Sequence, residues 1–236
     1  MKILVVQNRM GIGDTVIFLP FIEAISRKFN TRISLLVKKS SKADQYYKHT
    51  NYLDKIIFLE RDNKKKGKHD GLTGSFRLAQ DLKEYKFDKI FIFNSSLRFN
   101  LIARMANIKE IFQYPLFKKT DQHIVQPAKD LIKKNLGVDV VKDPQIGINS
   151  NLIKEAVLKF NINSNELNIL LGIGGSGPTK RIPSKTFLSV MEKISNFKKS
   201  KFFLATGKKD DEQIILNQIL NSKFKDKCIP LDSLSI

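Results

Sequence analysis

Short apolar runs alternate along the first half of the chain with segments of helical periodicity. The apolar, β-rich runs predict strands at residues 2–6, 32–37, 55–59 and 89–93. Apolar residues spaced three and four apart predict helices at residues 15–29, 40–48, 75–85, 97–106 and 121–136. Strands alternating with helices at this spacing are typical of a parallel sheet covered on both faces. The first half is therefore predicted to be a Rossmann-like α/β domain.

The pattern loosens over residues 142–166, where Pro144, Gly147 and several asparagines predict a linker interrupted by one short helix at 152–159. Alternation then restarts, with strands predicted at 168–173 and 201–206 and helices at 184–196 and 210–221. The two stretches predict two Rossmann-like domains, 1–150 and 151–236, with a ligand cleft between them. A doubly wound domain usually needs more units than the second stretch supplies, so that domain is predicted to be incomplete.

The charge is strongly one-sided: 42 Lys and Arg against 23 Asp and Glu give a net charge of +19. Such an excess attracts polyanions, including anionic membrane surfaces and phosphorylated substrates. The densest run, residues 61–68, is by default a solvated loop. No nucleic-acid-binding signature accompanies it, so nucleic acid is not an expected partner. A single cysteine and the lack of a membrane-length apolar run favour a cytoplasmic protein.

A glycine-containing loop, Gly11-Ile12-Gly13-Asp14, directly follows the first predicted strand. Glycine lets the backbone turn tightly and approach a ligand closely. The dinucleotide-binding fingerprint is not completed, because Val16 stands where its third glycine belongs. Asp14 is either a helix cap that accepts free backbone amides or a working acid/base. The residues alone leave both interpretations open.

A second glycine loop spans residues 174–181, with the sequence GGSGPTKR. It is not a P-loop, because Pro178 occupies the position where that motif has lysine. Backbone amides, the hydroxyls of Ser176 and Thr179 and the cations of Lys180 and Arg181 nevertheless favour phosphate binding. The alternative is a solvated turn before a helix. The three histidines have no metal-ligand spacing, so no metal site is expected.

Taken together, the two loops resemble glycosyltransferase family 9, the ADP-heptose:lipopolysaccharide heptosyltransferase group. The similar segments follow the family's order: ILVV (3–6), GIGDTV (11–16), LP (19–20), LR (97–98), LIARM (101–105), GGS (174–176), TKRIP (179–183), LATG (204–207) and Glu212. Their order and spacing across most of the chain are more specific than any single motif.

The resemblance implies a GT-B fold, with an acceptor-binding N-terminal domain and a sugar-nucleotide-binding C-terminal domain. It also implies an inverting transfer without a metal or other cofactor, in which Asp14 is the general base. Ser176 and Lys180 then match the diphosphate site of the ADP-sugar donor, and Glu212 matches a position near the ribose. Thr179 is expected among the donor-binding residues. The acceptor site is expected to include, from the first domain, Gly11, Gly13, Lys64 and Arg98.

One departure concerns the family's Asp-Ser-Gly-x-x-His-x-Ala segment near the nucleotide, of which Asp232-Ser233 resembles only the approach. The chain therefore resembles a family member without its final part.

The expected function is transfer of a heptose or similar sugar from an ADP-sugar to a lipopolysaccharide inner-core acceptor, with peripheral contact at the inner membrane face. The alternatives are another nucleotide sugar used for another surface glycan, or an inactive, truncated basic binding module.

Overall fold

The computed structural model describes residues 1–9, 11–47, 49–61, 67–116, 123–175 and 181–234. It divides into two compact units, Met1–Gly147 and Ile148–Ile236. The sequence predicted the division after residue 150. Each unit is an α/β structure with a parallel sheet, as the alternating pattern predicted.

Unit 1 is built on a five-stranded sheet in the order β3-β2-β1-β4-β5, with every neighbouring pair parallel. The strands are β1 Ile3–Gln7, β2 Ile33–Lys38, β3 Leu53–Leu59, β4 Lys89–Ile92 and β5 Glu110–Gln113. The first four confirm the predicted strands. The sequence missed β5, because this short edge strand begins at an exposed Glu110 and has only half-buried residues after it.

The helices of unit 1 are α1 Ile12–Val16, α2 Leu19–Phe29, α3 Ala43–Tyr46, α4 Gly71–Tyr85, α5 Leu97–Met105 and α6 Gln126–Leu136. The prediction of one continuous helix over residues 15–29 was wrong. Pro20, in the first turn of α2, has no N–H to donate to the Val16 carbonyl. The helix is therefore interrupted after Val16, and α2 begins at Leu19. The helix predicted over 40–48 was also wrong, since Lys42 adopts φ 51° and separates a 3₁₀ turn at Lys39–Ser41 from α3.

The sheet of unit 1 is buried on both faces. Along β1, Ile3 and Val5 join the core that includes α2 and α6, whereas Leu4 and Val6 join the core that includes α4 and α5. All five residues of β1 are buried. Helices on both faces explain why the strands are almost continuously apolar.

Unit 2 contains a three-stranded parallel sheet in the order β6-β7-β8. Its strands are β6 Leu167–Gly172, β7 Ser200–Ala205 and β8 Cys228–Pro230, and its helices are α7 Ser150–Lys159, α8 Ser184–Phe197 and α9 Asp210–Leu220. The elements before β8 confirm the predicted ones within about two residues. The strand β8 was not predicted. One core cluster supports the unit, centred on Phe202, Leu204 and Met191.

No helix in the described part of the chain has the length and apolar character needed to cross a bilayer.

Gly74 offers a test of the packing of α4. A Cβ at this position would lie 2.3 Å from the backbone carbon of His69. Glycine-to-alanine changes inside helices usually stabilise by about 0.5–1 kcal/mol, but overpacking costs about 1–3 kcal/mol. We therefore expect Gly74→Ala to lower the free energy of unfolding in urea by about 1 kcal/mol or more.

The matched control is Gln80→Ala, an exposed position on the same helix, which should change the free energy of unfolding by less than about 0.5 kcal/mol. A Gly74→Ala protein more stable than the parent would show that α4 is not packed against His69 in this way.

Candidate active site

The glycine loop of unit 1 follows the carboxyl end of β1, and Gly174 and Gly175 follow the carboxyl end of β6 in unit 2. In unit 1, β2 and β3 lie on one side of β1, and β4 and β5 lie on the other. The order of the strands therefore reverses between β1 and β4. In open parallel sheets, ligands bind outside the carboxyl ends of the strands at such a switch point. The glycine loop after β1 and residues 93–96 after β4 flank this position.

Asp14 is held by its own loop. It is the third residue of α1, and its Oδ2 accepts a hydrogen bond from the Gly11 N–H at 3.1 Å. The capping contact considered from the sequence is thus present. No hydrogen bond reaches Oδ1 from the described residues, and the side chain is half-buried. One carboxylate oxygen fixes the orientation, and the other can accept a proton from a bound hydroxyl.

The two glycines of this loop have different surroundings. A Cβ at Gly11 would lie 2.8 Å from Oδ2 of Asp14, so a side chain there would displace the carboxylate. A Cβ at Gly13 would meet nothing within 4 Å among the described atoms. Gly11 is therefore required for the geometry of Asp14, whereas Gly13 leaves open space beside it.

Gln7 holds this loop in position through hydrogen bonds to its backbone, a role that was not predicted from the sequence. Its side chain is fully buried at the end of β1. Oε1 accepts from the Arg9 N–H at 3.0 Å, and Nε2 donates to the Asp14 carbonyl at 3.2 Å. The buried Thr15 hydroxyl adds a bond to the Gly11 carbonyl at 3.0 Å. The signal for this role in the sequence was a glutamine at the end of an apolar strand.

Arg98 is half-buried and contacts the backbone of His69, the residue that follows the basic run. Its Nη2 donates to the His69 carbonyl, and Arg61 pairs with Asp70, with 3.3 Å between Nε and Oδ1. Burial, followed by the nearby charge of Arg61, lowers the pKa of Arg98 from its ordinary value. Lys64, the other predicted acceptor-binding cation, lies outside the described residues.

His69 joins the two ends of the basic run. The ring Nδ1 of His69 accepts from the backbone N–H of Glu60 at 3.0 Å, and the backbone N–H of His69 donates to the Glu60 carbonyl at 3.0 Å. Since Nδ1 is an acceptor, the ring proton lies on Nε2, which is 3.0 Å from Oδ2 of Asp81. His69 is buried, with 3% of its surface exposed. It is a structural residue, which the sequence had not distinguished from a surface histidine.

Glu212 occupies the corresponding edge of unit 2. It lies in the first turn of α9, is 4% exposed, and accepts from the Gly207 N–H at 2.8 Å. A Cβ at Gly174 would lie 3.1 Å from Oε2 of Glu212, and one at Gly207 would lie 2.6 Å from it. The structure therefore brings Glu212 between the ends of β6 and β7.

Three of the predicted phosphate-binding side chains, Ser176, Thr179 and Lys180, lie outside the described residues. The fourth, Arg181, is described and pairs with Asp211 in the first turn of α9. No group of three or more His, Cys, Asp or Glu side chains converges as a metal site within the described ranges.

Comparison with known proteins identifies the fold. No family model and no curated protein sequence matches the chain. Among solved structures, an Escherichia coli ADP-heptose lipopolysaccharide heptosyltransferase II matches 98% of this chain and 72% of its own, with 14% identity and a TM-score of 0.71. A family 9 glycosyltransferase from Veillonella parvula matches 98% of this chain and 69% of its own, with 18% identity and a TM-score of 0.73.

A third similar structure is an E. coli heptosyltransferase with ADP-2-deoxy-2-fluoro heptose, which shares 13% identity and a TM-score of 0.67 over 100% of this chain and 78% of its own. At these identities the likeness establishes the fold. The GT-B type α/β fold is thus confirmed, and the resemblance seen in the sequence holds at the level of structure. The chain spans about 70% of the length of these glycosyltransferases.

The role of Gln7 can be tested by Gln7→Leu. The change leaves the Arg9 N–H and the Asp14 carbonyl without their present partner, at a cost of about 1–3 kcal/mol for each group that stays buried. We expect a lower free energy of unfolding in urea and faster hydrogen exchange at the Arg9 amide. Gln126→Leu, at an exposed position on α6, is the control. An unchanged exchange rate at Arg9 would contradict the assignment.

Proposed function

We propose that this chain is a glycosyltransferase of the family 9 type, which moves a heptose or similar sugar from an ADP-sugar to a lipopolysaccharide inner-core acceptor. The observation that carries the proposal is the Asp14 carboxylate, held at the switch point of unit 1 in a chain that has the fold of heptosyltransferases. A carboxylate with one oriented and one available oxygen suits a general base for an acceptor hydroxyl.

The proposed reaction is a single displacement. Asp14 accepts the proton of the acceptor hydroxyl as that oxygen bonds to the anomeric carbon, and the bond from this carbon to the diphosphate oxygen breaks with inversion. The electron pair leaves with ADP. Ser176, Thr179 and Lys180 would neutralise the departing diphosphate, so that no metal or other cofactor is needed. Glu212 would accept a hydrogen bond from the ribose at Oε1, which lies 4.0 Å from Lys209 Nζ, while its Oε2 accepts from the Gly207 N–H.

The acceptor would bind to unit 1, near Gly11 and Gly13, with its anionic groups drawn by the basic run that contains Lys64 and by Arg98. The net charge of +19 supports an anionic acceptor and peripheral contact with the inner membrane face from the cytoplasm.

Asp14→Asn tests the base. Asparagine can still accept from the Gly11 N–H, so the loop keeps its shape, but an amide does not take the hydroxyl proton. We expect release of ADP from ADP-heptose, in the presence of lipopolysaccharide acceptor, to slow about 10²–10⁴-fold. Asp44→Asn is the matched control, because Asp44 is an exposed acid in the first turn of α3. Near-normal turnover of Asp14→Asn would exclude this role.

A second candidate keeps the fold and changes the donor. It is favoured by the likeness to a Neisseria meningitidis UDP-GlcNAc 2-epimerase bound to UDP-GlcNAc, with 12% identity and a TM-score of 0.52 over 99% of this chain and 73% of its own. In this reading the chain uses another nucleotide sugar for a different surface glycan.

A panel of ADP-, UDP- and GDP-sugars scored by thermal shift separates the two candidates. We expect ADP-sugars to raise the melting temperature most, since ligand bound to the folded state alone stabilises it. Stabilisation by a non-adenine nucleotide sugar alone would select the second candidate. Salt-sensitive binding of polyanions without any nucleotide effect would instead indicate a basic binding module.

A further inference from the structure

Five apolar side chains project into solvent from α4 and α5, the two helices that cover one face of the sheet in unit 1. They are Leu72 and Phe76 on α4 and Leu97, Leu101 and Met105 on α5, with exposed fractions of 84%, 60%, 43%, 49% and 36%. These five residues are called the apolar patch below. Exposed apolar patches that polar residues surround mark sites where a protein binds a partner or a membrane.

The core of unit 1 does not require these side chains. Other residues of the two helices, such as Leu78 and Ile102, form the core beneath them. The patch residues of each helix follow one another at intervals of four, so they form one stripe on α4 and a second on α5. A surface helix usually carries polar side chains away from the core. Each helix is therefore apolar on a second, exposed side that folding does not explain.

The two stripes are neighbours, because α4 and α5 pack against each other. Nη2 of Arg98, in the first turn of α5, donates to the carbonyl of His69, which lies two residues before α4 begins. Leu72 and Leu97 therefore lie within one turn of a contact that joins the starts of both helices. The apolar patch lies at the end of these helices that is nearest to the carboxyl edge of the sheet.

Cations lie on the same side of the two helices as the patch. Lys83 follows Phe76 by seven residues, which is two turns, and Arg104 follows Leu101 by three. Both cations are exposed. Side chains of this kind cover apolar surface with their methylene stems and extend the charge into a polar layer. Apolar stripes and positive charges thus alternate on one surface.

The acids nearby leave this surface positive. Helix α5 contains Arg98 and Arg104 and no acid. Helix α4 contains two acids, of which Asp81 pairs with Lys68 at 2.6 Å and Glu84 is exposed. Over residues 67–109, eight Lys and Arg stand against four Asp and Glu. An anionic surface is therefore attracted to this side of unit 1.

An anionic lipid bilayer fits this combination of groups. Helices at a membrane interface bury a face rich in Leu and Phe about 5–10 Å deep, at the boundary between headgroups and acyl chains. Their Lys and Arg side chains lie among the anionic headgroups. Protein interfaces, by contrast, are depleted in lysine. Exposed apolar stripes interleaved with cations therefore favour a bilayer over a protein partner.

We propose that the apolar patch, with Lys83 and Arg104 beside it, binds the surface of an anionic lipid bilayer. The proposal gives a defined surface to the peripheral membrane contact of the proposed function and in that respect rests on it, but lipid binding itself needs no transfer activity. Because α4 and α5 begin after the carboxyl ends of β3 and β4, the bound bilayer lies next to the edge of the sheet that carries Asp14.

Vesicle flotation of the full chain tests the proposal, with no nucleotide sugar or acceptor present. One set of vesicles contains phosphatidylcholine alone, and the other contains phosphatidylcholine mixed with phosphatidylglycerol. We expect the chain to bind the anionic vesicles about tenfold or more tightly than the neutral ones, because each cation near the surface adds to the attraction. Added salt should reduce the difference, since it screens the charges.

A double variant assigns the apolar part of the binding to the patch. Leu72→Ser with Phe76→Ser should weaken binding to the anionic vesicles about tenfold or more, because two large apolar side chains no longer enter the bilayer. The matched control is Leu158→Ser with Phe197→Ser, which changes the same residue types at positions 80% and 87% exposed in unit 2. It should leave binding unchanged, and circular dichroism should show both variants folded.

A second pair of variants tests the charges. Lys83→Gln with Arg104→Gln should weaken binding to the anionic vesicles about tenfold or more. Lys129→Gln with Lys193→Gln removes the same charge from exposed positions on α6 and α8 and should have the smaller effect.

A fluorescent probe reports whether the patch enters the lipid. The chain contains no tryptophan, so Phe76→Trp places a single one in the patch. Its emission should shift to shorter wavelength when anionic vesicles are added, and brominated acyl chains should quench it. Phe197→Trp, in unit 2, is the control and should show neither change.

Parental binding after Leu72→Ser with Phe76→Ser, equal effects of the two charge pairs, or an unquenched Phe76→Trp would overturn the proposal. A parent chain that binds neither vesicle, and whose self-association in sedimentation is lost with Leu72 and Phe76, would assign the patch to a second copy instead. Slow turnover of Asp14→Asn without vesicle binding by the parent would overturn this surface and leave the proposed general base standing.

Discussion

The central strand β1 constrains everything around it. It pairs with β2 on one side and β4 on the other, and both of its faces are covered by apolar cores. A strand enclosed in this way has almost no place for a polar side chain along its length. Polar chemistry can begin only where the strand ends, at Gln7 and the glycine loop that follows. The candidate site lies at the carboxyl edge for this reason.

Polar groups at that edge depend on a few buried side chains. A tight turn leaves backbone amides and carbonyls that no helix or strand satisfies, and buried groups of this kind need a partner. Gln7 satisfies the turn after β1, Gln113 satisfies the turn after β4, and His69 joins the ends of the basic run. Each turn is therefore set by a side chain from a neighbouring, rigid element, and the site is held in shape without a ligand.

The sequence predicted the parts of the fold that carry a strong period. Four strands of unit 1 and the helices and first two strands of unit 2 follow from apolar spacing, because burial on both faces leaves a continuous apolar run. The strand β5 could not be predicted in this way, because an edge strand of four residues with an exposed Glu110 has no continuous apolar run. The helix break at Pro20 was also missed, because proline is accepted in a first turn and its presence alone does not mark a new helix.

Some residues of the candidate site could likewise be predicted from the sequence, and others could not. Asp14 was identifiable because an acid is unexpected in a loop of the anion-binding type, and Gly11 because glycine punctuates the end of an apolar run. Gln7 was not identifiable, because its role depends on two backbone groups whose positions only the folded loop defines. Gln113 was not identifiable either, because the Asn94 and Ser96 carbonyls that it binds belong to a loop 17–19 residues earlier in the chain. Only the pairing of β4 with β5 brings them together.

The acids at the start of α9 give this helix start a different electrostatic potential from the start of α8. A helix begins with partial positive charge, which a nearby anion can use. In α9 that charge is already neutralised by Asp210, Asp211 and Glu212, whereas α8 has no acid in its first turn. An anion is therefore less favoured near the start of α9 than near the start of α8. Three carboxylates make two otherwise similar strand–loop–helix units electrostatically different.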